Sequence, residues 1–125
     1  MLKGAVLYAK NLEKLTQFYL AIGGKQTDGV AGEFAVMANS DAELILLQTP
    51  EGIASQIVIE DPPAMRSATP LKPILNVSSI DDVLAGLSEL GGRPVPGSKP
   101  WKFRQYLVQD IIDPEGNVIQ LWQPV

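Results

Sequence analysis

The chain repeats itself, and that constrains its fold more than any other feature. The segment NLEKLTQFYLAIGG, from Asn11, lies on SIDDVLAGLSELGG, from Ser79, at an offset of 68 residues. Asn11 and Ser79 are helix N-cap types. Leu12, Leu15, Tyr19 and Ile22 fall on Ile80, Val83, Leu87 and Leu90, the spacing of one face of an amphipathic helix, and each segment stops at Gly-Gly. A helix of about three turns is expected in each copy. The same offset carries Gly4–Ala9 onto 72–77, so a strand precedes each helix. Beyond each helix, after a short strand near GGKQTD or GGRPVP, come two longer strands. They flank the turn Asn-Ser-Asp-Ala in EFAVMANSDAELILLQ and Asp-Pro-Glu-Gly-Asn in FRQYLVQDIIDPEGNVIQLWQ. Both halves therefore read strand, helix, three strands.

The chain reads as a single domain over 1–125, with module one at 1–60, a proline-rich linker at 61–69 and module two at 70–125. A chain of 125 residues, 46% hydrophobic, suits one buried core. No apolar run approaches a membrane span and the amino terminus does not read as a leader, so a soluble cytoplasmic protein is expected, with no membrane partner. Net charge is −4 without a Lys/Arg cluster, which argues against nucleic acid as a partner. There is no cysteine, hence no thiolate ligand or nucleophile, and no histidine, which removes the commonest metal ligand and the usual base near neutrality.

The opening GAVLYAKNLEKLTQFYLAIGG and the closing DPEGNVIQLWQ together resemble the vicinal oxygen chelate superfamily, the glyoxalase, bleomycin-resistance and extradiol dioxygenase group. The resemblance spans nearly the whole chain. It implies an α+β fold of two tandem βαβββ modules whose sheets form a half-open mixed β-barrel around a cavity, in a homodimer. It also implies where a metal would bind: on the first strand of each module, seven residues before the helix cap, and on each module's last strand. Those positions are Gly4, Lys72, Ile45 and Gln120. Glycine and isoleucine offer no donor, an ammonium repels a divalent cation, and one amide oxygen is a poor ligand on its own. No metal and no cofactor are expected.

Strand parity extends this to a face. If Gly4, Lys72 and Gln120 face the cavity, so do Val6, Tyr8, Glu43, Ile45, Leu47, Ile74, Asn76 and Trp122, while the opposite faces are apolar and suited to packing under the helices. Tyr8, Glu43, Lys72, Asn76, Gln120 and Trp122 are thus candidate ligand-binding residues on apolar walls. The stretch GSKPWKFRQY makes the segment between the Gly-Gly stop and the final strand about seven residues longer in the second module than in the first, and with Trp101, Phe103, Arg104 and Tyr106 it reads as a lid whose aromatics are able to stack on a planar or cationic ligand. Three classes of function fit: a metal-independent binding or sequestering protein for a drug or metabolite, a glyoxalase-like lyase, isomerase or dioxygenase acting on a small organic substrate, and an interaction module with a filled cavity. The missing ligands favour the first, with a small organic molecule as partner.

Overall fold

The computed structural model describes residues 2–39, 41–66 and 70–125. Ser40, in the first expected hairpin turn, and residues 67–69 of the expected linker lie outside the described residues. The chain forms two compact units, Met1–Ile59 and Glu60–Val125.

In the first unit β1 (Gly4–Ala9), α1 (Leu12–Ala21), β2 (Lys25–Val30), β3 (Phe34–Asn39) and β4 (Ala42–Gln48) follow the expected βαβββ order. They build a sheet ordered β1-β4-β3-β2, with β1 parallel to β4 and the other pairs antiparallel. Asn11 Oδ1 accepts the Lys14 amide at 3.1 Å, satisfying an otherwise orphaned helix donor. Leu12, Leu15, Phe18 and Tyr19 bury one face of α1 against β3 and β4. The helix stops where Gly23 takes φ 114° and the Gly24 amide reaches back to the Tyr19 carbonyl at 2.9 Å. Leu44 and Leu46 of β4 point to this core, each contributing on the order of 1.5–3 kcal/mol by burial. A single helical turn, α2 (Glu51–Ala54), follows β4, and the Lys10 ammonium donates to the carbonyls of Ala54 (2.9 Å) and Ile57.

The second unit repeats the plan. It runs β5 (Ile74–Asn76), α3 (Ile80–Gly86), β6 (Arg93–Pro94), β7 (Trp101–Phe103), β8 (Tyr106–Ile112) and β9 (Val118–Pro124). The sheet order is β5-β9-β8-β6, with β5 parallel to β9 and β7 paired to β8. Ser79 Oγ caps α3 at the Asp82 amide, 3.1 Å away. Two elements are shorter than their counterparts. Helix α3 ends at Gly86, a weak interior helix residue, and continues only as a 3-10 turn over Ser88–Leu90. Strand β6 is cut to two residues, because Pro94 and Pro96 have no amide to donate. The fold is α+β, with two open mixed sheets.

Each unit also ties its last strand to its helix with a glutamine. Gln48 Oε1 accepts the Leu12 amide at 3.1 Å while its Nε2 donates to the Lys10 carbonyl at 2.9 Å; Gln123 Oε1 accepts the Ile80 amide at 2.7 Å. Gln48→Leu and Gln123→Leu each leave a first-turn amide unsatisfied, a loss of about 1 kcal/mol. Thermal denaturation should show both variants melting a few degrees early; unchanged midpoints would refute the capping role.

Candidate functional site

The second sheet's open face carries the candidate site, and the final hairpin aligns it. Asp113 opens the Asp-Pro-Glu-Gly-Asn turn and is fully buried. Its Oδ1 accepts the amides of Glu115 (2.8 Å) and Asn117 (2.9 Å), and its Oδ2 accepts Asn117 Nδ2 at 2.8 Å. Gly116 sits at φ 89°, and a Cβ there would lie 2.2 Å from the Ala64 carbonyl oxygen. The turn sets the register: Ile112 against Val118, Asp110 against Gln120, Val108 against Trp122 and Tyr106 against Pro124. Ile119, Leu121 and Ile111 face the other way and are fully buried.

Registered partners share a face, so Gln120, Trp122, Asp110 and Tyr106 emerge together. Ile74 and Asn76 join them from β5, and Trp101 and Phe103 from β7. The rings form a chain. Trp101 meets Phe103 edge-on with centroids 5.7 Å apart, Phe103 meets Trp122 at 5.6 Å, and Tyr106 meets Trp122 at 4.9 Å. Beside them the Trp122 indole N–H donates to Gln120 Oε1 at 3.0 Å, and Lys72 Nζ pairs with Asp110 Oδ2 at 2.7 Å. Asp110 Oδ1 is buried without a hydrogen-bond partner among the described residues.

Of the residues singled out from sequence, Lys72, Asn76, Trp101, Phe103, Gln120 and Trp122 share this face. The lid is corrected. Trp101 and Phe103 sit on strand β7, zipped to Val108 and Tyr106, because alternating aromatic residues suit a sheet edge. Arg104 occupies the two-residue turn between β7 and β8 at φ 56°, with its side chain exposed. Tyr8 and Glu43 belong to the first unit, on one face of its sheet: Tyr8 is 64% exposed, and Glu43 forms an exposed pair with Lys3 at 3.7 Å. Such a pair contributes little. Sequence reasoning missed Asp110. Counting outward from the Asp-Pro-Glu-Gly-Asn turn finds it, since hairpin pairing places it opposite Gln120, while Tyr106, read with the lid stretch, pairs with Pro124 on β8.

The superfamily's metal positions do not fit a metal in this chain. Val6 pairs with Ile45, and Ile74 with Gln120, so Ile45 and Gln120 are equivalent positions of the two sheets. At Gly4 a Cβ would fall 1.8 Å from the Glu43 carbonyl oxygen, leaving no room for a ligand side chain. Lys72 is paired with Asp110, and Gln120 Oε1 is engaged by Trp122. Among the described residues no group of three or more His, Cys, Asp or Glu could hold a metal, and no helix is long and apolar enough to cross a membrane.

No protein-family model and no curated protein sequence matches the chain. Its architecture nevertheless matches solved structures over almost its whole length. A glyoxalase family protein from Bacillus cereus aligns at TM-score 0.73 and 17% identity, covering 99% of this chain and 93% of that one. A glyoxalase/bleomycin resistance protein from Albidiferax ferrireducens T118 aligns at 0.68 and 16%, covering 100% and 99%. A fosfomycin resistance protein from Listeria monocytogenes, complexed with Mn(II) and a dihydroxypropylphosphonic acid, aligns at 0.68 and 13%, covering 100% and 90%. The fold is that of the vicinal oxygen chelate superfamily.

Proposed function

We propose that the chain is a metal-independent binding protein for a small organic molecule, held on the open face of the second sheet. One observation carries this reading: four aromatic rings in contact, with Trp101 and Phe103 still 46% and 42% exposed, border the polar groups of Gln120, Lys72 and Asp110. Exposed aromatic area supplies affinity and adjacent polar groups supply orientation. Asn76 lies on the same face and Arg104 in the turn that follows β7, while Tyr8 and Glu43 form a second candidate surface on the first unit. A thermal-shift screen of small organic molecules tests the reading, followed by titration of indole fluorescence. The chain has only two tryptophans, so Trp101→Phe and Trp122→Phe assign the signal. Gln120→Leu should weaken a hit about two- to tenfold, the loss of one hydrogen bond. A hit that leaves both indoles silent would place binding elsewhere. Elemental analysis of the same preparation should find no stoichiometric transition metal; one metal per chain, lost on mutating Gln120, would contradict this reading.

We further propose a homodimer. Strands β1 and β5 are each paired on one side only within their own sheets, and Val6, Tyr8 and Ile74 along them are exposed. Unpaired edges of this kind call for cover. Sedimentation at micromolar concentration should report twice the chain mass, and a monomer would refute it.

A further inference from the structure

We infer that the molecule held on the second sheet's face is a planar organic anion, with Lys72 supplying its counter-charge; this rests on the binding role proposed for that face. An indole N–H can only donate, so its 3.0 Å contact with Gln120 Oε1 fixes which way the amide points. One lone pair of the carboxamide oxygen is taken, and the amide nitrogen, without an acceptor among the described residues, is left to donate. Lys72 spends one N–H on Asp110 Oδ2 and keeps two, on a side chain 39% exposed. Gln120 and Asp110 are register partners on adjacent strands, which sets the amide next to the carboxylate that holds the ammonium. The Gln120 amide nitrogen and the Lys72 ammonium are therefore donors beside the rings, and the Tyr106 hydroxyl is able to donate as well.

Charge points the same way. Arg93, registered with Ile112, shares the face and donates from Nη2 to the Pro63 carbonyl at 2.9 Å. Among the described residues the charged groups of this face are Lys72, Arg93 and Asp110, a balance of +1 within a chain of net charge −4. Asp110 Oδ1, a buried acceptor without a partner among the described residues, is closed to an incoming group. Ring faces attract cations, but weakly where exposed, whereas a charge-assisted bond from an ammonium to an oxyanion is about twice as strong as a neutral hydrogen bond. The oxyanion prevails, which favours the planar over the cationic ligand of the two that the sequence suggested.

Three probes of one shape separate the possibilities: 1-naphthoate, 1-naphthamide and 1-naphthylmethylammonium, titrated calorimetrically and by indole fluorescence. Naphthoate should bind about tenfold more tightly than the ammonium. In Lys72→Gln the gap between naphthoate and naphthamide should close, and in Lys72→Arg, which keeps the charge, it should persist. Tighter binding of the ammonium, equal binding of all three, or a naphthoate preference that survives Lys72→Gln would overturn the anion assignment while leaving the face a binding site. Failure of all three probes, together with an empty thermal-shift screen, would overturn both.

Discussion

Asp113→Ala should lower the melting temperature by roughly 10–20 °C, from a stability loss of about 3–5 kcal/mol. The side chain is fully buried and accepts hydrogen bonds from two backbone amides and one side-chain amide. Hydrogen bonds to a charged group contribute about 1.5–3 kcal/mol each, and alanine leaves all three donors without their acceptor. Removing a buried charge recovers part of that loss, so the expected total falls below the sum. Asp113→Asn keeps one carbonyl oxygen for the Glu115 and Asn117 amides but sets a donor nitrogen against the donor Asn117 Nδ2, losing that bond, and should lose about half as much. The consequence reaches the candidate site, because the turn fixes Asp110 against Gln120 and Val108 against Trp122. Near-ultraviolet circular dichroism of the aromatic cluster should weaken in Asp113→Ala before far-ultraviolet signal is lost. A midpoint shift under about 3 °C would show that the turn holds its register without Asp113.

Periodicity and repetition carried the fold into view, and side-chain chemistry at strand edges did not. The spacing of Leu12, Leu15 and Tyr19 defines a helix because one side of a 3.6-residue period must be buried, and the same pattern recurs from Ile80. Two sheets of equivalent strand order follow from that repeat. The aromatic lid failed for a related reason. Trp101, Lys102 and Phe103 alternate as an edge strand does, but three residues among prolines and glycines carry too short a pattern to separate strand from loop. Gln120 and Trp122 were legible as face partners from parity alone. Lys72 pairing with Asp110 was not, since it joins residues 38 apart through a sheet register that only the turn at Asp113 determines. Gln48 and Gln123 look like ordinary strand-end polar residues; their capping role appears only when the helix start is brought to the end of the strand.

Gly4→His, which restores a metal-ligand residue type at the first superfamily position, should destabilise the protein by about 2–4 kcal/mol and acquire no metal. The obstacle is the backbone. A Cβ at position 4 would lie 1.8 Å from the Glu43 carbonyl oxygen and 2.8 Å from its carbon, and Gly4 and Glu43 are register partners in the parallel β1–β4 pair. The Glu43 amide donates to the Lys3 carbonyl at 3.0 Å, so the strand cannot swing away without breaking the ladder at that end. Since the clash belongs to Cβ, Gly4→Ala should lose nearly as much as Gly4→His, and matching melting midpoints for the two variants would locate the cause there. Zinc or manganese titration of Gly4→His, followed by calorimetry, should show no binding above the parent chain. A stable Gly4→His protein that binds about one metal per chain would mean that glycine merely lacks a donor and that the strands have room to accept one. Otherwise the first ligand position is closed by main-chain packing, and no donor side chain fits there while β1 lies so close to β4.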